Sequence, residues 1–94
     1  MRRRRADREP QYRSEVYLDL LSRLRTNVLA LREERGWSQE EAAHRCQMTT
    51  RVYQRVEAAE VNVTFTTLAR LCEGFDEDAT VLLRGGAGRK RRAG

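Results

Sequence analysis

The chain has little of what most enzymes are built from. It holds one histidine and two cysteines in 94 residues. His44 and Cys46 stand two positions apart, so on a helix they point to different sides and supply neither a dyad nor a shared metal site. No serine has a histidine and a carboxylate at a recognisable spacing, and no glycine-rich loop is present to cradle a phosphate. These absences leave no catalytic residues, no metal ligands and no cofactor to expect. Cys46 and Cys72 lie inside apolar, periodic stretches with no CxxC spacing, which predicts buried free thiols in a reducing compartment. No apolar run reaches the length of a membrane span, and the arginine-rich start lacks the apolar segment of a signal peptide, so a cytoplasmic protein is expected. There is one proline, Pro10. No alternating run is long enough for a strand.

What is present is charge, unevenly spread. The net charge is +5. Met1 to Arg25 carries eight arginines against four acids, Arg84 to Gly94 five cations against none, and Thr26 to Leu83 six arginines against ten acids. The ends are basic and the middle acidic, so a polyanion meets the arms first. A chain of this length supports one domain with tails, which favours a binding module over an enzyme.

Residues 1–13 are charged and aperiodic and read as a disordered basic arm, and 84–94 read as a disordered basic tail. Between them every signal is helical. Ser14 can cap a helix in which Val16, Tyr17, Leu20, Leu21, Leu24, Val28 and Leu31 recur at spacings of three and four. It runs to Arg35 either as one helix or as two joined near Thr26, and Gly36 ends it. Residues 14–25 form an N-terminal helical extension of a domain spanning 14–83. Ser38 and Glu41 form a capping box for a second helix over about Gln39 to Cys46, and Thr49 and Thr64 cap the next two. Asp76 or Asp78 caps a last short helix carrying Val81, Leu82 and Leu83. The predicted fold is all-α, a compact five-helix bundle.

Helices two and three carry Ala42, Ala43, Cys46, Met48, Tyr53 and Val56 toward each other, with Ala43 small enough for a steep crossing. On helix three, Tyr53 and Val56 point inward. Thr50, Arg51, Gln54 and Arg55 fall on the opposite side at 100° per residue. Taken alone, two arginines four apart on such a side read as a solvated face.

The stretch from Leu24 to Leu83 resembles the lambda-repressor-like, Cro-type (XRE-like) helix-turn-helix DNA-binding family. The resemblance rests on Arg32, the run Gly36-Trp37-Ser38-Gln39, Ala43, the turn residue Met48, Tyr53, Val56, Glu57 and the run Thr67-Leu68-Ala69. Gln47 and Ala59 stand where the family has glycine, so each must accept a left-handed backbone or a different turn. The resemblance implies a double-stranded DNA partner, a third helix in the major groove and a homodimer on a two-fold operator. It further implies base contacts from Thr50, Arg51, Gln54 and Arg55, phosphate contacts from Ser38, Gln39 and Thr49, and an Arg32–Glu57 ion pair. Apart from the resemblance, Arg2, Arg3, Arg4, Arg5, Arg89, Lys90, Arg91 and Arg92 have two readings, as solubility tails or as arms that hold phosphates and enter a minor groove beside the site. Phe75, Val81, Leu82 and Leu83 offer a dimer surface, with the extension from Tyr12 to Leu24 as competitor. A transcriptional repressor is the reading this implies. Two others stay open: an antitoxin that binds a toxin through its extra helix or a tail, and a protein-interaction module on the same fold.

Overall fold

The computed structural model describes residues 14–60 and 62–85. The arginines and lysine assigned above to the two arms lie outside the described residues. Five helices follow in order: α1 (Glu15–Arg35), α2 (Gln39–Arg45), α3 (Thr50–Glu57), α4 (Phe65–Phe75) and α5 (Ala79–Leu82). No strand occurs among the described residues. The all-α bundle expected from periodicity is what the chain builds.

Side-chain oxygens start each helix. Ser14, Ser38, Thr49, Thr64 and Asp78 each accept a hydrogen bond from a main-chain N–H in the first turn that would otherwise have no partner. Only half of the anticipated capping box forms, because the Glu41 carboxylate turns forward to Arg45 Nε at 2.7 Å. α1 is one helix of 21 residues, so Thr26 and Asn27 do not break it. Asn27 instead donates from Nδ2 to the carbonyls of Leu82 (2.8 Å) and Arg84 (2.9 Å), tying the end of α5 to the middle of α1.

Four helix ends reverse through a left-handed residue: Gly36, Gln47, Ala59 and Asp76. At Gln47 (φ 56°) the amide of Met48 reaches back to the Ala43 carbonyl at 3.0 Å, and at Ala59 (φ 57°) the amide of Glu60 reaches the Arg55 carbonyl at 3.0 Å. These are the closing bonds of a Schellman stop, which satisfy helix-end carbonyls and fix the direction of the next segment. The geometry is that of a glycine, and the side chains accept it at a cost of about 1–2 kcal/mol each.

The core is Leu24 and Val28 of α1, Ala42 and Ala43 of α2 with Cys46, Tyr53 and Val56 of α3, Leu71 and Phe75 of α4, and Leu82 of α5. Phe75 and Leu82 are fully buried. The Phe75 ring stacks on Trp37 with centroids 5.4 Å apart. Neither can serve as the dimer surface the sequence offered. The left-handed Asp76 turns the chain so that one-turn α5 lays Leu82 back on α1. Val81 and Leu83 are only half-buried. Apolar surface remains exposed elsewhere, at Val16, Leu18, Leu20 and Phe65. Near Leu20 and Phe65 an open apolar groove of about 240 Å³ runs between α1, the segment before α4 and Leu83.

α4 packs tightly on the end of α2 at Gly74. A Cβ added there would stand 2.4 Å from Cys46 Sγ and 2.8 Å from both the Arg45 carbonyl and Cys46 Cα. Two of those atoms are backbone, so relief requires the helices to part. Helix propensity favours alanine by about 0.5–1 kcal/mol, while overpacking costs about 1–3 kcal/mol and, with two backbone atoms at 2.8 Å, falls at the upper end of that range. Gly74→Ala should therefore lower the thermal midpoint by roughly 5 °C or more, and Gln47→Gly, which relieves a left-handed side chain, should raise it by a few degrees. Thermal melts followed by circular dichroism check both, and an unchanged midpoint for Gly74→Ala would mean that α2 and α4 are not in close contact there.

Candidate nucleic-acid interface

Thr50 to Glu57 is a helix with two characters. Tyr53, Val56 and Glu57 recur at helical spacing and are buried, whereas Arg51, Gln54 and Arg55 are exposed and Thr50 is half-buried. The Tyr53 ring carries a hydroxyl into the core, and a buried hydroxyl needs a partner. That partner is Glu57, one helical turn later: Tyr53 Oη donates to Glu57 Oε2 at 2.6 Å.

Glu57 is the centre of the arrangement. Arg32 approaches it as a fork, Nε to Oε2 at 2.6 Å and Nη2 to Oε1 at 3.2 Å. Gln39 Nε2 donates to Oε1 at 2.9 Å. The side chains of the pair retain 17 % and 6 % exposure, so this is an ion pair largely shielded from solvent. Burial by itself pushes the Glu57 carboxyl up, but the hydrogen bonds from Arg32, Tyr53 and Gln39 outweigh it and the group titrates below its ordinary range. The same contact with Glu57 raises Arg32 above its ordinary value. Tyr53 is pushed far up, by burial first and then by its bond to the carboxylate. Arg32 also donates from Nη1 to the Trp37 carbonyl at 2.9 Å, and Arg25 Nε donates to the Glu57 carbonyl at 2.9 Å. α3 is thus held at its C-terminal end by two arginines of α1 and one glutamine of α2.

The other candidate residues gather around the start of α2 and the outer side of α3. Ser38 Oγ accepts from the Glu41 amide at 3.0 Å and Thr49 Oγ1 from the Val52 amide at 3.1 Å, which leaves each hydroxyl hydrogen free to donate outward. Gln39 Oε1 accepts from Gln54 Nε2 at 3.1 Å. Its side chain thus bonds on both sides, to Glu57 and to Gln54, and keeps its second Nε2 hydrogen together with its main-chain N–H.

The arginines divide. Among those of α1 to α4, Arg23 pairs with Asp19, Arg32 with Glu57, Arg35 with Glu77 and Arg45 with Glu41. Arg25 bonds a carbonyl of α3, and Arg70 bonds the Gln47 carbonyl at 3.3 Å. Arg35 and Arg45 also lie over the Trp37 ring, 5.5 and 4.5 Å from its centroid. Arg51 and Arg55 have no hydrogen-bond or ion-pair partner among the described residues. They stand one turn apart on the exposed side of α3.

Several contributors are not apparent in the sequence reading. Arg25 looked like part of a basic N-terminal stretch, yet its guanidinium sits on the end of α3. The Gln39–Gln54 bond joins residues of different helices, and no local period announces it. Tyr53 did carry a signal, a tyrosine and a glutamate four apart on a buried face.

A helix-turn-helix family model matches residues 28–82, more than half of the chain, and the chain belongs to that family. Its members are DNA-binding regulators. A solved structure, that of the hypothetical transcription factor NHTF from Neisseria, superposes with a TM-score of 0.65 at 28 % identity, covering 68 % of this chain and 74 % of that one. No curated protein sequence matches. No described helix is long and apolar enough to cross a membrane.

Because the folded carboxyl of Glu57 lies below its ordinary value of 4.5, its stabilisation is complete above that value and is lost as pH falls through the lower folded one. Glu57→Gln, which leaves Arg32 without its counter-charge, should cost about 2–3 kcal/mol at neutral pH. That is a fall of roughly 10–20 °C in thermal midpoint. The deficit relative to wild type should shrink as pH drops below the ordinary carboxyl range, since wild type then loses the same charge. Melts from neutral to acid pH check this; a deficit independent of pH would show that the charge of Glu57 contributes nothing.

Proposed function

We propose that the protein is a sequence-specific transcriptional regulator, a repressor, which binds a two-fold-symmetric operator as a dimer with α3 in the major groove. One observation carries the reading: among the arginines of α1 to α4, the two with no partner among the described residues sit side by side on the outer face of α3. Elsewhere on these helices a guanidinium is committed to a carboxylate or a carbonyl. An arginine pair left open on a helix that is itself anchored from behind is the arrangement that planar, bidentate reading of guanine requires. Family membership and the likeness to a transcription factor support the same reading.

In this reading Arg51 and Arg55 bond base edges, Gln54 contacts a neighbouring base, and the Thr50 methyl meets a thymine methyl. Ser38 and Thr49, at the starts of α2 and α3, donate to phosphates on either side, with Gln39 contributing through its main-chain N–H. The arms add cations outside the groove. The dimer surface is the apolar groove bordered by Tyr17, Leu20, Leu21 and Leu68, together with the exposed Phe65 beside it. Half-sites then lie about one helical turn, roughly 34 Å, apart.

Two measurements test it. Arg51→Ala and Arg55→Ala should each weaken binding to a duplex enriched from a random pool by about 1–3 kcal/mol and relax preference at one base pair, with the thermal midpoint unchanged. If neither alters affinity or preference, α3 does not read bases. Phe65→Ser with Leu20→Ser should convert a dimer to a monomer in sedimentation without loss of helicity, and a variant that still sediments as wild type would remove this surface from consideration.

A further inference from the structure

The segment between α3 and α4 holds no lysine or arginine, and its one charged residue, Glu60, is an exposed acid. A helix ends in outward-facing carbonyls that carry partial negative charge. A phosphate near the end of α3 therefore meets repulsion from the helix and from Glu60 together. Ser38 and Thr49 cannot relieve it, because they stand at the starts of α2 and α3, and the eight residues of α3 span about 12 Å. Arg25 supplies a cation at that end. Its Nε donates to the Glu57 carbonyl at 2.9 Å, and the residue is exposed. In the other arginines of α1 both terminal nitrogens are engaged: Arg23 with Asp19 and the Leu83 carbonyl, Arg32 with Glu57 and the Trp37 carbonyl, Arg35 with Glu77 and the Phe75 carbonyl. In Arg25 neither Nη1 nor Nη2 has a hydrogen-bond or ion-pair partner among the described residues.

We infer that Arg25 is a phosphate clamp, which serves the far end of α3 from α1 and takes the place of the cations that the segment after α3 lacks. The inference rests on the reading of α3 as the base-contacting helix. With Nε given to the Glu57 carbonyl, the guanidinium is held by its inner edge and its Nη1–Nη2 end points away from that bond. Two parallel N–H donors on a planar fork match two oxygens of one phosphate, and the charge strengthens both bonds. A fork already held at Nε loses less freedom on binding than a side chain that must be ordered from solution. The same positive charge offsets the negative pole of α3. The work at the interface is thereby divided: Arg51 and Arg55 meet base edges, whereas Arg25 holds the backbone, adds affinity at every sequence and makes it depend on salt.

Glutamine is the informative substitution. Its Nε2 falls at the same place along the side chain as arginine Nε, so Arg25→Gln keeps the bond to the Glu57 carbonyl and removes only the fork, whereas Arg25→Ala removes both. Affinity of the full-length protein is measured across a range of salt for a duplex enriched from a random pool and for an unrelated duplex, with wild type, both Arg25 variants and Arg51→Ala. Arg25→Gln should melt like wild type, bind both duplexes about tenfold more weakly, and flatten the slope of log K against log salt by about 0.9 for each protomer bound. Arg25→Ala should flatten the slope equally and also melt at a lower temperature. Wild-type affinity and slope in Arg25→Gln, with weakening only in Arg25→Ala, would make Arg25 a tie between α1 and α3 and overturn the clamp. A loss confined to the enriched duplex would make it a base contact and overturn the clamp as well. Arg51→Ala separates these outcomes from failure of the underlying reading. If it discriminates between the duplexes less than wild type does while Arg25→Gln behaves as wild type, the clamp alone falls; if it discriminates as well as wild type, base reading by α3 falls and the clamp with it.

Discussion

The Glu57 carboxylate sits where α1, α2 and α3 meet, and each of those helices contributes a donor to it: Arg32 from α1, Gln39 from α2 and Tyr53 from α3 itself. A charge placed there with any donor missing would be costly, because burial penalises it and nothing apolar can compensate. With all of them present the carboxylate stays ionised and accepts a bond from each helix at once. The remaining geometry of the interface depends on this. α3 has only eight residues, too few to hold a direction by helical propensity, so its orientation comes from what it is attached to. Tyr53 and Val56 supply the apolar attachment, and Glu57 and the Arg25 contact to its carbonyl supply the polar one.

That attachment explains how an acidic bundle can present a basic helix. Residues 26–83 hold six arginines against ten acids, yet most of the arginines are bound to carboxylates or carbonyls where they brace the fold. Charge on the outer side of α3 is left uncompensated within the described residues, and the two exposed guanidiniums there are held on a helix that is braced from behind. The stops at Gln47 and Ala59 serve the same end. Their left-handed geometry is retained without glycine, because the bonds from Met48 to Ala43 and from Glu60 to Arg55 require it. The turn between α2 and α3 therefore keeps its shape.

Much of the fold was legible in the sequence, and for definite reasons. Caps at Ser14, Ser38, Thr49, Thr64 and Asp78 are local features read by residue type, and the apolar spacing in α3 and α4 needs no tertiary knowledge. The uncertainty over α1 was also local: Thr26 and Asn27 are weak helix formers, and the fold overrides them by using Asn27 to hold α5. Phe75 and Leu82 were misread as surface because their burial depends on a left-handed aspartate, a residue that gives little warning of it. Gly74 looked like an ordinary helical glycine, and only the packing of α2 against α4 shows why a side chain does not fit. The Glu41 carboxylate could have closed either of two local bonds, and a helical arginine four residues on took it. The Gln39–Gln54 link and the role of Arg25 join elements distant in sequence, so no periodicity could reveal them.

The central claim is that α3, braced through Glu57, is the surface that meets DNA. It is tested most directly by following main-chain and side-chain amide shifts of the full-length protein during titration with a duplex enriched from a random pool. Thr50, Arg51, Gln54 and Arg55 should shift most, together with the starts of α2 and α3 at Ser38, Gln39 and Thr49. Shifts confined to residues 1–13 and 86–94, with α3 unmoved, would contradict it.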